Sequence, residues 1–362
     1  MSSSIGNLFR LTTFGESHGV AIGGIIDGCP SGLKLDLDYI QEFLNKRRPG
    51  FSVLSSERKE PDEVEFLSGL FEGVTLGTPI GFLIKNNDIK SEDYSQLKDL
   101  FRPSHADFTY EKKYEIRDYR GGGRSSARET ANWIVGGAIA SQVLKIKDIS
   151  IHSYVSSIGS ICIDEAEANI DLSSIYKSDV RCPIESVAKK MEKLIKDCKS
   201  DGDTIGGQIS TVVKGLPVGL GEPVFDKLQS AIARSIMSIN ACKGIEFGLG
   251  FSSSKKRASE TNDLFIVSKQ NNIETKTNHS GGLLGGISNG NDLCFKSAFK
   301  AVSTIFKKQE TVDNSLRNIS YSPSGRHDPC VVPRVVPIID SLTAMIILDF
   351  YLLNKTTKLS SL

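Results

Sequence analysis

The chain has 362 residues, with 44 Lys and Arg against 43 Asp and Glu and a formal charge of +1, so no bulk field draws it to nucleic acid or to a membrane surface. At 39% hydrophobic and 24% charged, with only 12 prolines, it has the composition of a folded chain rather than a disordered one. Single cores stop growing beyond ~250–300 residues, which leaves one large layered domain or two intimately packed ones. Seven cysteines are spread over the whole length with no C-x-x-C pair and no histidine at ligand spacing, which predicts a reducing compartment and no structural metal. The first ten residues lack a charged stretch followed by an apolar one, so no signal or transit peptide is expected and the chain reads as cytoplasmic.

Residues 5–14 read as a strand, and a glycine-rich turn, Gly15-Glu16-Ser17-His18-Gly19, leads into a second apolar run from Val20 to Ile26. Asp36 is placed to cap a short helix through Leu37, Ile40, Phe43, Leu44 and Arg47 that stops before Pro49-Gly50. Residues 51–63 are polar and charged and read as a loop; Leu67 to Leu83, punctuated by glycine, reads as short strands and turns. Helical periodicity is longest from Ser126 to Lys145, where Ser126-Ala127-Arg128-Glu129 fits a capping box and Gly136-Gly137 predicts close backbone packing. A second helix is expected from Pro183 through Cys198, a strand from Ile205 to Val213, and a third helix from Phe225 to Ile239. Strands are expected at 244–251, 263–268 and 293–300, and a buried terminal helix from Val335 to Leu353 in which Asp340 and Asp349 interrupt the apolar run. Strands cluster between helices without regular βαβ alternation, so the fold class is α+β.

Four stretches carry chemistry. Arg117 to Thr130 holds three consecutive glycines and four arginines at a helix start, the composition of a built anion site. Arg102-Pro103-Ser104-His105-Ala106-Asp107 places an imidazole beside a guanidinium, and Gly325-Arg326-His327-Asp328-Pro329 repeats that composition on a tight turn. Asn278 to Gly290 is a second glycine-dense loop, able to lay bare backbone against a flat or phosphorylated ligand but without the spacing of a dinucleotide or P-loop motif; a purely structural β-turn is the alternative. The turn at Gly15–Gly19 matches G-x-S-x-G, so a serine hydrolase with Ser17 as nucleophile is the rival reading. Its context argues against it: no helix pattern follows Ser17, and adjacent side chains on a strand point to opposite faces, which would keep His18 from serving Ser17.

The motifs Phe14-Gly-Glu-Ser-His-Gly, Lys46-Arg-Arg-Pro-Gly, Arg58-Lys-Glu-Pro-Asp, Phe101-Arg-Pro-Ser-His-Ala-Asp, Tyr119-Arg-Gly-Gly-Gly-Arg-Ser-Ser-Ala-Arg-Glu-Thr, Gly219-Leu-Gly-Glu-Pro-Val-Phe-Asp, Met237-Ser-Ile-Asn-Ala, Gly281-Gly-Leu-Leu-Gly-Gly-Ile-Ser-Asn-Gly and Gly325-Arg-His-Asp-Pro, in that order over nearly the whole chain, closely resemble those of the chorismate synthases. The resemblance implies a single domain over residues 1–362, built as a layer of helices between two antiparallel sheets and assembled as a homotetramer. It implies conversion of 5-enolpyruvylshikimate 3-phosphate to chorismate by 1,4-elimination of phosphate, with reduced FMN required and no net redox change. By motif position it implies Arg47, Arg102, Arg128 and Arg326 as ligands of the substrate anions, with Ser17 and Ser126 hydrogen-bonding beside them. His18 would assist phosphate departure, His105 would donate to the reduced flavin ring, and Asp328 would sit near flavin N5. The FMN positions implied are Arg124, Ser125, Ser126, Asn240, Ala241, Gly285, Lys300, Ala301, Val302, Ser303, Thr304 and Arg326.

Two positions depart from the family pattern. Lys300-Ala301-Val302-Ser303 stands where members commonly have Lys-Pro-Thr-Ser, and Val53 where many have an arginine linked to NADPH or substrate contact. No insertion of the kind carried by members that reduce their own flavin is evident, so reduced FMN is expected from an external reductase.

Overall fold

The computed structural model describes residues 3–50, 52, 54, 60–87, 97–164, 170–269, 271–323 and 327–361. In chain order the first part holds β1 (Ser4–Ile5), β2 (Arg10–Gly15), β3 (Ala21–Asp27), α1 (Leu37–Arg47), β4 (Val64–Phe66), the small hairpin β5 (Leu70–Phe71) and β6 (Val74–Thr75), and β7 (Ile80–Lys85). Five of these strands pair antiparallel in the order β1-β2-β3-β7-β4. The sequence predicts one strand over residues 5–14; the structure has two, because Gly6 takes a φ of +85° and turns the chain so that Ser4 lies opposite Thr12. That turn is held by Asp349, whose carboxylate accepts from the backbone N–H of Asn7 (2.9 Å), Leu8 (2.7 Å) and Phe9 (3.0 Å). The residue that interrupts the apolar C-terminal run is therefore the anchor of the N-terminus.

The chain continues with α2 (Asp107–Tyr114), α3 (Thr130–Lys145), β8 (Ser150–Ile158), β9 (Ile161–Cys162), α4 (Glu185–Ser200), β10 (Gly207–Lys214), α5 (Leu228–Ile236) and β11 (Cys242–Phe247). After α6 (Ala258–Thr261) come the hairpins β12 (Phe265–Val267) with β13 (Ile273–Thr275) and β14 (Leu283–Leu284) with β15 (Ile287–Ser288), then β16 (Leu293–Phe299), the hairpin β17 (Gln309–Val312) with β18 (Asn318–Tyr321), and α7 (Val332–Asn354). The second five-stranded sheet is also antiparallel, in the order β11-β16-β10-β8-β9. Helix α3 rests on β2 and β3 of the first sheet, α7 rests on β8 and β10 of the second, and the two helices pack on each other with α1 against both. One buried apolar cluster runs from Phe9 to Phe350, so the α+β expectation holds in the form of a helical layer between two antiparallel sheets.

The contact between α3 and α7 explains the paired glycines. A Cβ on Gly137 would lie 2.1 Å from Cβ of Ser341 and 2.2 Å from its Cα, and one on Gly136 would lie 2.7 Å from Sδ of Met345. Helicity is given up so that two backbones can approach. Among the described residues α7 is the one helix long and apolar enough to cross a membrane, but 89% of its most apolar window is buried in this core, as expected of a helix apolar all round.

Helix ends shift where tertiary contacts intervene. Asp36 caps α1 as predicted, accepting from the N–H of Tyr39 at 2.9 Å. The capping box at Ser126 does not form: Ser126 caps only a 3₁₀ turn, Ala127–Glu129, and α3 starts at Thr130. Glu129 turns away because Arg124 and Asn132 hold its carboxylate. Helix α4 starts at Glu185 rather than Pro183, and α5 covers only Leu228–Ile236, leaving Phe225 91% exposed ahead of it.

Because a side chain at position 137 would meet backbone rather than a flexible tip, Gly137→Ala is expected to cost about 3 kcal/mol, the upper end of the usual overpacking range. The denaturant midpoint would report it; an unchanged midpoint would mean that α3 and α7 do not meet there.

Candidate active site

The turn between β2 and β3 carries Ser17 and His18. It is closed by Gly19 N–H donating to Glu16 O (3.0 Å), and by Asn86, just after β7, whose Nδ2 donates to the carbonyls of Glu16 (3.0 Å) and Gly19 (2.8 Å). The three-glycine loop lies against it. A Cβ on Gly121 would be 2.2 Å from Nδ1 of His18 and 3.1 Å from Oγ of Ser17, and one on Gly123, where φ is +52°, would be 2.6 Å from Oε2 of Glu16. These glycines are needed for close approach to the protein's own turn. Ser17 Oγ and His18 Nδ1 are 3.1 Å apart, which corrects the expectation that they could not meet. They lie on a turn, where strand alternation does not apply. The hydrolase elbow still fails, since the chain passes from the turn into β3 and no helix follows Ser17.

The arginines of the glycine loop are not a free cationic cluster, and the expectation of four guanidiniums converging on one anion is corrected. Arg117 pairs with Asp107 (3.3 Å) and Glu111 (3.4 Å), Arg120 with Asp118 (2.7 Å), Arg124 with Glu129 (2.6 Å), and Arg128 with Asp62. A charge removed from water needs a partner, and reading the arginines alone missed those partners. Asp62 is the central one. Fully buried, it accepts from Nη2 of Arg47 at 2.6 Å and from Nη1 of Arg128, while Arg47 Nη1 reaches Ala127 O and Oγ1 of Thr130 at 3.2 Å each, and Arg128 Nε donates to Oδ1 of Asn86 at 2.9 Å. Burial alone would raise the Asp62 carboxyl, but the two guanidiniums outweigh it and hold the group below the usual carboxylate range. Burial also lowers the pKa of Arg47 despite Asp62; a guanidinium keeps its charge at any ordinary pH, so the carboxylate is the member that titrates. Arg47 is only 2% exposed and enters the site as a strut under Arg128 and the Ser126 turn.

A second network joins segments about 200 residues apart. Arg102 grips Asp107 through two bonds of 2.8 Å. His105 donates from Nδ1 to Pro103 O (2.9 Å), since a carbonyl can only accept, and its Nε2 meets Oγ1 of Thr304 at 2.9 Å. Burial first, then Arg102, lowers the pKa of His105, which favours the neutral form of the ring. Ser303 donates to Ser104 O (3.2 Å), Lys300 Nζ to Oγ of Ser303, and Thr204 to Val302 O (2.6 Å). Lys300 N–H donates to Ala241 O (2.9 Å), Ala241 sits at φ +66°, and Asn240 Nδ2 donates to Ser125 O (2.8 Å). Positions 124–126, 240–241 and 300–304 thus adjoin one another. Gly285, at φ +61° with open space beside it, tips the β14–β15 hairpin, whose Gly286 O accepts from the first residue of α5; Asn240 follows the other end of that helix, about 13 Å along it. Asp328 pairs with Arg334, whose Nε donates to Arg47 O (3.1 Å). Arg326 and Val53 lie outside the described residues.

Residues 9–352 match the family model described as chorismate synthase. The chain belongs to the chorismate synthase family. It is 55% identical over 357 residues to the chorismate synthase of Christiangramia forsetii, covering 99% of each chain, and 53% identical over 359 residues to that of Phocaeicola vulgatus, covering 99% of this chain and all of the other. A solved structure titled "Crystal Structure of Chorismate Synthase" superposes with a TM-score of 0.78 at 27% identity, over 97% of this chain and 94% of the other. Membership makes the chain a lyase and leaves the serine hydrolase reading without support.

For this chorismate synthase family member, reading the sequence as individual motifs missed the partners Asp62, Asn86, Asp107, Glu129 and Arg334. Asp62 was visible only as the last residue of the Arg58–Asp62 motif. The Asn278–Gly290 loop has a structural frame: Asp263 accepts from Thr277 Oγ1 (2.6 Å), His279 N–H (2.7 Å) and both N–H (2.9 Å) and Oγ (2.6 Å) of Ser280. Burial would raise this carboxyl, and those bonds bring it down to about 2.

Asp62→Asn is expected to cost about 3–5 kcal/mol, the scale of a broken buried ion pair. Since the folded pKa of Asp62 lies below its unfolded value, its stabilisation is full above pH ~4 and is lost as pH falls through the folded pKa. The acid limb of wild-type stability should therefore flatten in Asp62→Asn, as read by denaturant midpoints between pH 2 and 7; parallel limbs would contradict the pairing.

Proposed function

We propose that this site carries out the 1,4-elimination of phosphate from 5-enolpyruvylshikimate 3-phosphate to chorismate, with reduced FMN as cofactor and no net redox change. The observation that carries the reading is the junction of His105 with Thr304 at 2.9 Å, where family motifs from distant parts of the chain meet beside Lys300.

The residues fit a flavin bearing a phosphate. Lys300 has its pKa lowered by burial and then by Lys243, and its ammonium bonds only a hydroxyl among the described residues, so two cations lie near each other without a carboxylate. An anion would relieve that repulsion. When bound, reduced FMN supplies electron density as phosphate leaves. Asn240, Ala241, Gly285 and Lys300 to Thr304 would hold it with Ser125 and Ser126, with Arg124 bracing the loop through Glu129. The Thr204 bond to Val302 O fixes the 300–304 segment through its backbone, which accommodates the Ala301-Val302 departure.

Among the chain's own groups, His18 is assigned proton donation to the departing phosphate oxygen, with Ser17 orienting its ring. Arg102 and Arg128 would bind substrate anions with Arg326, while Arg47 sets the position of Arg128 through Asp62. His105, whose Nε2 meets Thr304, would donate to the reduced flavin ring. Asp328, held by Arg334, would help remove the proton that the flavin acquires. The continuous core supports one domain over residues 1–362, working in the cytoplasm as a homotetramer fed by an external flavin reductase, with no nucleic-acid or membrane partner.

Anaerobic turnover tests the reading: chorismate absorbance is followed with reduced FMN, oxidised FMN, and oxidised FMN plus NADPH. Activity with reduced FMN alone is expected, and none under any condition would overturn it. His105→Ala is expected to fold and bind both ligands but turn over at least ~100-fold more slowly; near wild-type turnover would remove His105 from the chemistry.

A further inference from the structure

We infer that the flavin site is completed between two copies of the chain: the β14–β15 tip at Gly285, with the turn packed on it, serves the flavin held by Asn240, Ala241 and Lys300 to Thr304 of a second copy. This sharing rests on the flavin reading above. Within one chain the implied flavin positions fall at two ends. Asn240 and Ala241 adjoin Ser125 and Lys300, at the end of β16 where Phe299 lies opposite Cys242. Gly285 belongs to the other end: a Cβ on Gly282 would lie 2.8 Å from Cα of Leu293, the first residue of β16, and Gly286 O accepts from Leu228 N–H at the start of α5. Leu293 and Phe299 are separated by about 20 Å of extended strand, and α5 separates the same two ends. One flavin packed on 240–241 and 300–304 does not reach a tip that far away, whereas a two-fold pair of copies can place each tip over the other's site.

The surface around the tip is built for such a contact. At φ +61° Gly285 bares its backbone, and nothing in its own chain lies within 4 Å of where a Cβ would stand. The turn beside it is fixed: Leu220 N–H donates to Ser288 Oγ (2.9 Å), Gly219 N–H to Ser288 O (3.0 Å), Ser288 Oγ to Pro217 O (2.6 Å) and Glu222 N–H to Asp226 O (3.0 Å). On this frame Val218, Val224 and Phe225 are 66%, 61% and 91% exposed. Large apolar side chains held out in water mark a surface that another protein covers, and charge selects a second copy. Glu222 and Asp226, exposed on either side of Phe225, form no ion pair among the described residues, while Lys227 packs its stem against Gly286. Lys243, exposed at the flavin end and without a carboxylate among the described residues, is the complementary cation, which leaves Lys300 to the cofactor.

Two variants and their mixture test the sharing, with oxidised FMN as the probe and quenching of its fluorescence as the readout. Gly285→Asp sets a negative side chain on the tip in a backbone conformation that aspartate tolerates, and Lys300→Glu disables the other half of the site. Each alone is expected to bind FMN at least about tenfold more weakly than the wild type. Mixed oligomers, co-expressed and purified through two different tags, combine the intact 300–304 segment of one copy with the intact tip of the other, and should regain wild-type affinity in about half of their sites. A wild type that binds FMN with no recovery in the mixed oligomers, or Gly285→Asp that binds as the wild type does, would overturn the sharing and leave the flavin reading standing; a wild type that binds no FMN would overturn both. Phe225→Lys decides the matter if either variant does not fold, because Phe225 is exposed in its own chain. It is expected to dissociate the copies in sedimentation and to weaken FMN binding at least about tenfold; dissociated copies that bind FMN as tightly as the wild type would overturn the proposal.

Discussion

A single buried carboxylate, Asp62, holds together the parts that build the site. It lies between Arg47 at the end of α1 and Arg128 in the turn before α3, and Arg128 in turn reaches Asn86, which closes the Ser17–His18 turn. Burying this charge alone would be prohibitive, and burying either arginine alone would be as bad; together they are a compact unit whose removal by halves is costly. The site can therefore be rich in arginine inside a protein whose formal charge is only +1. Arg47, Arg102, Arg117, Arg120, Arg124 and Arg128 are each matched by a carboxylate, whereas Lys300 bonds only a hydroxyl among the described residues and lies near Lys243, which marks where an anionic cofactor is expected.

The scaffold under this unit has the same logic of compensated burial. Two glycines let α3 and α7 touch at Ser341 and Met345. Arg334, in the first turn of α7, then reaches Arg47 O and Asp328, while Asp349 near its far end secures the N-terminal turn. The C-terminal helix thus fixes the N-terminal sheet at one end and an implied catalytic carboxylate at the other. Helix, strand and site are coupled through side chains that no local pattern connects.

That coupling explains what the sequence made legible. Periodicity located α1, α3 and α7, and Asp36 marked the start of α1, because these signals are local. The start of α3 was misjudged because Glu129 is drawn to Arg124 by a tertiary contact, and the 5–14 strand because Gly6 turns the chain toward Asp349. Spacing could not reveal that Arg128 is paired, since Asp62 lies 66 residues away, nor that His105 meets Thr304 across 199 residues. Strand alternation misplaced Ser17 and His18 because both lie on a turn. The site was legible as long motifs in family order rather than as chemistry read from single clusters.

The central claim is that Asp62, Arg47 and Arg128 act as one unit, and a double-mutant cycle tests it most directly. Stability would be measured for the wild type, Asp62→Asn, Arg47→Met and the double variant. The account predicts a coupling of at least about 1.5 kcal/mol, with the double variant more stable than the sum of the single losses implies, since the Arg47 guanidinium is then no longer left facing a neutral partner. Losses that add to within about 0.5 kcal/mol would contradict it.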